Sequence, residues 1–470
     1  MLVPGLLTVS RRAWVLPLIV FVVSLAIYVP TVARSTVNTD VAANSMAAWR
    51  LAHTGKPWMD GLNLHESGEV SHYGVGADGH IVTTRTPGQI WAATPFYLGS
   101  PSAQPSPGGT PVPPTGFFRS GLAAAMMTAA AMALLFLALR RHLTTAAALG
   151  ATAVVAFTTP VWTVSANALW THPLTVLAIA GAAYGARRKQ WWAVGIWLGI
   201  GMLGRAHVAV IAAIVGLGMA WHERSLKPAV RVAIPTLVSL LVLSVWDHFV
   251  FGTWDPRGAY SGHTFGSMVP GVRTGAVTSM VENWAGFLVS PDKGFFVWTP
   301  VALLLLPAVV RGWRAAPAWS RWLALGGLAY AVVQLGLNGF TGGDGFQGYR
   351  LALEPLVCLT PLYAFTAARA GMVARVLAPW VMGIQAGVAA IGAFADGVVN
   401  YVNYHQVWQD NSAWKAFREQ PVAAGLVFAV FGLLAGVLTW AYVRRSSASM
   451  NDVADTEERT SRLSAAESLP

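Results

Sequence analysis

Charged side chains beside long apolar runs are the residues of this sequence best suited to chemistry. Asp40 follows the first apolar run, Arg205 interrupts a later one, and Arg350 ends a glycine-rich stretch that begins at residue 342. A carboxylate at the boundary of water and lipid can accept a proton from a hydroxyl group. A guanidinium group suits phosphate because its planar fork makes two parallel hydrogen bonds. A cation inside apolar sequence costs about 2.5–3.5 kcal/mol to insert into a membrane, so Arg205 needs a partner or an anionic ligand.

Further polar segments interrupt the apolar sequence at residues 83–89, 167–173 and 290–294. Their most reactive members are Arg85, His172 and Lys293. Each has a structural explanation beside a functional one. Arg85 can extend to lipid headgroups, His172 can be an ordinary hydrogen-bonded histidine of a helix bundle, and Lys293 can pair with its neighbour Asp292.

Asp40 and Arg350 also have structural explanations. Asp40, or Thr39 before it, can cap an amphipathic helix that we predict for residues 41–53 along the membrane surface. Arg350 and Glu354 stand four residues apart, so they share a helix face and can pair. A capping role and a catalytic role are compatible for Asp40, whereas pairing and phosphate binding remain alternatives for Arg350.

The composition requires a membrane environment. Hydrophobic residues make up 55% of the 470 residues and charged residues 11%, against about 25% charged in soluble domains. The formal charge of +11 comes from small basic clusters between apolar runs, which is the membrane topology signal and not that of a nucleic-acid-binding protein. The single cysteine, Cys358, excludes a disulfide within the chain. The sequence contains none of the common phosphate-loop, dinucleotide, zinc-protease or serine-hydrolase motifs.

Apolar runs of membrane-spanning length predict about twelve transmembrane helices. They cover residues 14–33, 117–139, 147–164, 170–186, 191–204, 206–221, 229–251, 296–310, 322–337, 351–367, 376–395 and 422–443. The short runs 191–204 and 206–221 meet at Gly204-Arg205 and could instead form a broken hairpin within the bilayer. The fold class is therefore an all-α integral membrane protein without a large soluble domain.

The distribution of Lys and Arg sets the predicted orientation. Alternate short loops hold pairs or triplets of Lys and Arg with a single acid, Glu223, so these loops face the cytoplasm and both termini lie there. The long mixed-charge segments 34–116, 252–295, 338–350 and 396–421 then face outward. We expect one transmembrane domain over residues 1–445, with a first outer loop at 34–116, and a disordered cytoplasmic tail at 446–470. Abundant Ala, Gly, Arg and Trp indicate a bacterial plasma membrane protein.

The order of these motifs resembles the GT-C superfamily of membrane glycosyltransferases, which take sugar from polyprenyl-phosphate donors. The resemblance is to the bacterial branch that is similar to protein O-mannosyltransferases and lipid A aminoarabinose transferases. It covers residues 14–440. It rests on Asp40, Arg85-Thr86-Pro87-Gly88, Leu169 to His172, Leu203-Gly204-Arg205, Phe251-Gly252-Thr253, Ser290 to Gly294 and Gly342 to Arg350.

The resemblance implies a hexosyl- or pentosyltransferase whose acceptor is a glycan, lipid or protein of the cell envelope. It implies Asp40 as the catalytic base that deprotonates the acceptor hydroxyl. The residues implied to bind the donor phosphate are Arg350, Arg205, Arg85 and Lys293, and those implied to bind the rest of the substrate are His172, Trp170, Tyr260 and Tyr349. The expected partners are the lipid-linked sugar, the acceptor and the bilayer, with no nucleic acid, cofactor or metal.

Two other function classes remain alternatives at this point. A secondary transporter would have a similar number of spans, although its halves usually repeat and its site usually lies at the bilayer midplane. A surface-polysaccharide ligase or polymerase would also use lipid-linked sugar and a large outer loop. A cleft that joins Asp40, Arg205 and Arg350 favours the transferase, and a central pore with two-fold pseudo-symmetry favours transport.

Overall fold

The structure is a computed structural model, and it describes residues 12–34, 38–61, 72–101, 113, 116–258, 277–343, 345–395, 402–403 and 405–467. The first helices are α1 (Arg12–Tyr28), α2 (Thr39–Thr54), α3 (Pro87–Tyr97), α4 (Phe118–Leu139) and α5 (Thr145–Thr158). The strands β1 (Tyr73–Val75) and β2 (Ile81–Thr83) form one antiparallel hairpin between α2 and α3.

The rest of the described chain is also helical. The helices are α6 (His172–Arg187), α7 (Trp191–Gly204), α8 (Ala209–Glu223), α9 (Lys227–Phe251), α10 (Val277–Val289), α11 (Phe295–Trp298), α12 (Pro300–Gly312), α13 (Ala318–Leu337), α14 (Leu353–Thr366), α15 (Met372–Phe394), α16 (Ser412–Glu419) and α17 (Pro421–Glu467). A short π-helix at Val161–Ser165 follows α5.

A helix is present at each of the twelve predicted positions, so the prediction of an all-α membrane protein is confirmed. Six of the described helices are long and apolar enough to cross a membrane by length and composition. The number of twelve spans remains a prediction, because several other helices are shorter than the roughly 20 residues that a bilayer requires.

The outer faces of the bundle are apolar, as lipid contact requires. Only 11% of the most apolar part of α17 is buried and 17% of that of α9, whereas α4 is 72% buried. Exposed Leu and Val residues cover α9 and α17, and in water such large patches would drive association. α4 is therefore a central helix, and α9 and α17 are peripheral.

α2 does not lie along the membrane surface as predicted. Every residue from Val41 to Arg50 is buried in the protein, and α2 packs on α3. The predicted helix is present, but protein covers its apolar face because the loop between α2 and α4 folds back over it. This helix is thus a fixed part of the outer region.

The break predicted between residues 204 and 206 is present. α7 ends at Gly204, a 3-10 turn covers Ala206–Val208, and α8 begins at Ala209. Arg205 adopts an extended conformation at the break, which points its side chain away from the axes of both helices. The interruption therefore delivers a guanidinium group to the interior of the bundle.

The C-terminal segment differs from the predicted disordered tail. α17 continues as helix to Glu467. Extending an existing helix adds one hydrogen bond for each residue that is fixed and avoids the cost of nucleation. Residues 454–467 are also rich in Ala, Glu and Arg, which favour helix.

α15 and α17 approach closely through glycines. A Cβ atom at Gly432 would stand 3.0 Å from the carbonyl oxygen of Gly383, and one at Gly387 would stand 2.5 Å from the ring of Phe428. Such small residues at helix interfaces allow close packing in membranes, where no hydrophobic driving force holds helices together.

We expect Gly432→Leu to lower the free energy of unfolding by about 1–3 kcal/mol, because the added side chain forces α17 away from α15. Thermal unfolding in detergent micelles, followed by tryptophan fluorescence, measures the change. The control is Leu433→Phe, at a side chain that is 69% exposed to lipid. Equal melting temperatures for the two variants would contradict the close glycine interface.

Candidate active site

Asp40 stands at the centre of a polar cluster, between two arginines from distant parts of the chain. The Nη1 atom of Arg350 donates to Asp40 Oδ2 at 2.6 Å, and Arg85 Nη2 lies 2.7 Å from Asp40 Oδ1. The three side chains are between 10% and 15% exposed, so the cluster is mostly shielded but reaches solvent. Of the predicted cleft, Asp40 and Arg350 are thus in direct contact, and the third member of this contact is Arg85 and not Arg205.

The cap of α2 leaves Asp40 available for the site. Asn38, and not Thr39 or Asp40, is the N-cap residue, and its side chain accepts a hydrogen bond from the backbone N–H of Asp40 at 2.9 Å. The Asp40 carboxylate sits in the first turn, where the partial positive charge of the helix N-terminus favours an anion. The capping explanation for Asp40 is thus wrong, since Asn38 performs that role.

Arg350 is held by two aromatic rings and a glycine turn. Its guanidinium carbon lies 4.8 Å from the ring centre of Trp170 and 5.5 Å from that of Phe346. Gly342 has a φ of +63°, and a Cβ atom there would stand 3.2 Å from Arg350 Nε. The glycine-rich segment therefore wraps the arginine closely, in a conformation that other residues rarely adopt.

His72 is the third neighbour of Asp40. Its Nδ1 atom lies 3.7 Å from Asp40 Oδ1 and accepts a hydrogen bond from Arg85. An arginine only donates, so Nδ1 carries no proton and the ring is neutral. Burial and the charge of Arg85 together lower the pKa of His72 to about 4, although the charge of Asp40 opposes them.

Burial by itself would raise the pKa of Asp40. The charges of Arg85 and Arg350, in that order, together with the hydrogen bond from Arg350, overcome this and hold the pKa of Asp40 well below its usual range. Asp40 is therefore ionised at any physiological pH while both arginines are paired with it. In this state it is a weak base, because a base works best when its pKa lies near the working pH.

A second polar cluster adjoins the first and centres on Arg205. Arg205 Nη2 donates to His172 Nε2 at 3.1 Å, and His172 Nδ1 lies 2.8 Å from Glu354 Oε1. Because Nε2 accepts from the arginine, the proton of His172 is on Nδ1 and is donated to Glu354. Thr175 also donates to Glu354 Oε1 at 2.6 Å.

The structure pairs Arg350 and Glu354 with other partners. Arg350 binds Asp40, and Glu354 binds His172 and lies 3.9 Å from Arg205 Nε. The suggested pairing within the helix is thus replaced by contacts to other helices. Since Glu354 lies four residues after Arg350, the sequence brings the two clusters side by side.

Sequence inspection missed several residues of the second cluster. Arg205 Nη1 donates to Gln334 Oε1 at 2.8 Å and to the hydroxyl of Tyr330 at 3.3 Å, and His207 also contacts Gln334. Gln334 was detectable as a lone amide in an apolar helix, and such a group needs a partner in a membrane. Nothing in the sequence indicated which partner this would be.

Lys293 does not reach the Asp40 cluster. Its ammonium group is buried, lies 2.9 Å from Asp292 Oδ2, and donates to the carbonyl of Phe346 at 3.0 Å. Asp292 in turn accepts from Ser412 at the start of α16. The pair therefore fixes the outer loops against each other, and the prediction of a phosphate contact by Lys293 does not match this position.

The predicted substrate-binding residues lie mostly behind the site. Trp170 is 3% exposed under Arg350, and His172 is fully buried next to Arg205. Tyr349 is 2% exposed, and its hydroxyl group shares a hydrogen bond with Thr299 at 2.6 Å. These positions make the three residues supports for the arginines. Tyr260 lies outside the described residues.

The two clusters together carry an excess of positive charge. The carboxylates are those of Asp40 and Glu354, and the guanidinium groups are those of Arg85, Arg205 and Arg350. His72 and His172 are neutral by their hydrogen bonds, and Lys293 is balanced by Asp292. Within the described residues of these clusters, one positive charge is thus left over, which suits one monoanionic group.

An apolar cavity of about 640 Å³ extends along α12, α13 and α14. One end is lined by Phe295, whose ring centre lies 5.5 Å from that of Tyr349, the neighbour of Arg350. The other end is lined by Arg311 and Arg314, which belong to a loop predicted to be cytoplasmic. The cavity therefore crosses the apolar part of the bundle, and one of its lining residues contacts the neighbour of Arg350.

No group of three His, Cys, Asp or Glu side chains that could hold a metal ion occurs among the described residues.

Solved structures similar to this chain are membrane proteins. ArnT from Cupriavidus metallidurans bound to undecaprenyl phosphate is 15% identical with a TM-score of 0.45, over 95% of this chain and 80% of ArnT. The Archaeoglobus fulgidus oligosaccharyltransferase tethered to an acceptor peptide is 13% identical with a TM-score of 0.46, over 92% of this chain and 55% of that enzyme. AglB from the same organism, in complex with an inhibitory peptide and a dolichol-phosphate, is 12% identical with a TM-score of 0.45.

These similarities concern the fold alone. At such identities and TM-scores they establish neither a substrate nor an activity. No family model and no curated protein matches the chain. The function has to be inferred from the site itself.

We expect the thermal stability to fall as the pH is lowered from about 6.5 to about 4. In this pH window His72 becomes protonated in the unfolded chain but stays neutral in the folded site. The free energy of unfolding therefore falls by up to about 3 kcal/mol. Asp40 adds nothing there, because a depressed carboxyl pKa removes stability only below the unfolded value of about 3.9. The melting temperature of His72→Asn is predicted to depend less on pH over this range than that of the wild type.

The control for this measurement is His222→Asn, at an exposed histidine near the other end of the bundle. It should keep the wild-type dependence of melting temperature on pH. Parallel curves for His72→Asn and the wild type would show that His72 is not held neutral by its neighbours.

Proposed function

We propose that this protein is a GT-C-type glycosyltransferase of a bacterial plasma membrane. It transfers a hexose or pentose from a polyprenyl-phosphate donor to a hydroxyl group of an envelope glycan, lipid or protein. The reaction takes place at the outer face, opposite the Arg-rich loops, and both chain termini lie in the cytoplasm.

The observation that carries this proposal is the bridge of Asp40 between Arg85 and Arg350. A base and two phosphate-binding groups meet there at 2.6 and 2.7 Å. The excess of one positive charge suits a phosphodiester, which carries one negative charge. A diphosphate-linked glycan, as used by many polysaccharide ligases, would bring more negative charge than the clusters balance.

The proposed reaction is a single displacement. The oxygen of the acceptor hydroxyl attacks the anomeric carbon, and the bond from that carbon to the phosphate oxygen breaks. The electron pair leaves with the polyprenyl phosphate, whose charge Arg350 and Arg85 stabilise, with Arg205 behind them. Asp40 accepts the hydroxyl proton and later passes it to water. Attack opposite the leaving group inverts the configuration at the anomeric carbon.

Donor binding is also what makes Asp40 an effective base in this proposal. In the resting site both guanidinium groups hold the carboxylate and keep its pKa low. The phosphate competes for the same N–H groups and weakens their bonds to Asp40. The pKa of the carboxylate then rises toward the working pH, so the base is activated only when the donor is present.

The apolar cavity along α13 supplies a place for the polyprenyl tail. Its lining is mostly aromatic and aliphatic, and one lining residue, Phe295, packs against Tyr349, the neighbour of Arg350. In this proposal the lipid phosphate binds at Arg350 and the tail passes Tyr349 and Phe295 into the cavity.

The first test uses the purified full-length protein in lipid nanodiscs, with prenyl-phospho-mannose and prenyl-phospho-arabinose as donors and an envelope extract as acceptor. We expect Asp40→Asn to lower kcat by about 10²–10⁴-fold, the usual contribution of a general base. Arg350→Ala should lower kcat/KM by about 10²–10³-fold. Release of prenyl phosphate, measured by chromatography, gives both numbers.

The control for the charge changes is Arg418→Ala, which removes an exposed outer ion pair with Asp410. It should retain wild-type transfer. Wild-type rates in Asp40→Asn would remove Asp40 from the mechanism. Saturable binding of the donor without release of prenyl phosphate would identify a transporter.

The second test concerns the tail. We expect Leu328→Trp, at a cavity-lining position, to reduce kcat/KM for a donor of about 50 carbons far more than for one of about 10 carbons, because each buried CH₂ contributes about 0.8 kcal/mol. Val332→Trp, at an exposed position one turn further along the same helix that does not line the cavity, is the control. Equal sensitivity to chain length in both variants would show that the tail binds elsewhere.

A further inference from the structure

A small cavity lies beside the proposed site and plays no part in the mechanism above. Its volume is about 10 Å³, close to what one water molecule or one hydroxyl group needs. Trp170 and Phe346 line it, and these are the two rings that hold Arg350. The cavity therefore adjoins the phosphate-binding arginine.

The Gln347 side chain lines this cavity with unused hydrogen-bonding capacity. Gln347 is 2% exposed, and neither its Nε2 nor its Oε1 atom has a hydrogen-bond partner among the described residues. A buried amide without a partner is unfavourable, so such groups are normally satisfied by water or by a ligand. The amide offers one acceptor and two donors, and a hydroxyl group can use both kinds at once.

The position of Gln347 is fixed by its backbone. Its carbonyl oxygen accepts a hydrogen bond from Thr163 at 2.7 Å. Gly345, two residues earlier, packs against Asn38, the cap of the helix that carries Asp40. The segment that encloses the cavity thus contacts the cap of the Asp40 helix through Gly345 and continues into Arg350.

From this geometry we infer that the cavity is a specificity subsite, in which the Gln347 amide binds one hydroxyl group of the sugar on the donor. The inference rests on the proposed function. Arg350 follows Gln347 by three residues, so their Cα atoms are at most about 11 Å apart. The sugar is bonded directly to the phosphate that Arg350 binds, so one of its hydroxyl groups can reach the cavity. The small volume admits a hydroxyl group and excludes a larger substituent.

Two variants test the subsite without disturbing the arginines. Gln347→Met keeps the length of the side chain and removes its hydrogen bonds. Gly392→Ala keeps Gln347 but adds a methyl group 3.1 Å from its Oε1 atom, which fills the cavity. The matched control is Gln385→Met, a buried glutamine on α15 whose amide is already bonded to Thr158 and to the N–H of Val301.

The measurement is kcat/KM in nanodiscs for the preferred prenyl-phospho-sugar and for each of its mono-deoxy analogues. In the wild type we expect one analogue to be used about 10-fold less well, which corresponds to about 1.4 kcal/mol. In Gln347→Met, kcat/KM for the parent donor should fall about 10-fold. The variant should then use the deoxy analogue no more than about twofold less well than it uses the parent donor. Gly392→Ala should show the same loss of discrimination, whereas Gln385→Met should keep the wild-type ratio.

A thermal-stability measurement separates this role from packing. Gln347→Met should melt at or above the wild-type temperature, because it removes an amide without a protein partner, while Gln385→Met should melt lower. If the ratio between every deoxy analogue and the parent donor is the same in Gln347→Met as in the wild type, the amide binds only structural water and the inference fails.

Binding experiments separate failure of the subsite from failure of the proposed function. Prenyl phosphate and prenyl-phospho-sugar are added separately, and the shift in melting temperature is measured. Arg350→Ala should lose both shifts, and Gln347→Met only the extra shift that the sugar produces. Equal shifts for both lipids in the wild type would overturn the subsite alone. No shift with either lipid would overturn the proposed function and the subsite with it.

Discussion

The Asp40 carboxylate, shared between Arg85 and Arg350, is the interaction on which the outer region depends. It joins α2, the segment before α3 and the glycine-rich segment before α14, which are far apart in the sequence. Removing one partner from such a shielded cluster leaves an uncompensated charge, which is strongly unfavourable. The same contact holds the loops together and keeps the carboxylate from acting as a base, so stability and reactivity are opposed at this point.

Behind this contact, most of the neighbouring polar residues serve to position the arginines. Trp170 and Phe346 hold Arg350 by its flat faces. The buried pair of Lys293 and Asp292 fixes the carbonyl of Phe346. His172 is hydrogen-bonded to both Glu354 and Arg205, so Glu354 orients Arg205 through the histidine ring. A site needs such supporting residues because a guanidinium group on a flexible side chain would otherwise lose its alignment.

The sequence predicted the helices, and it predicted that Asp40, Arg85 and Arg350 share one site. It did so because charges are rare in apolar sequence and each must be explained. It could not identify Asn38 as the cap or His172 as the partner of Glu354. Spacing along one helix tells which residues share a face, whereas the choice between Glu354 and Asp40 as partner for Arg350 depends on what other helices bring to that face. The packing of α2 inside the protein was hidden for the same reason.

The position of the two arginines along the chain has a consequence for biogenesis. Ribosomes add about 5–20 residues per second, so the 265 residues between Arg85 and Arg350 take roughly 15 to 50 seconds to synthesise. During that interval Arg85 is the only arginine of the pair available to the nascent Asp40. Asp40 thus gains its two arginine partners in two stages, because Arg350 is synthesised only after α13. An N-terminal fragment that stops before residue 350 would hold Asp40 with Arg85 alone, where the complete chain supplies two cations.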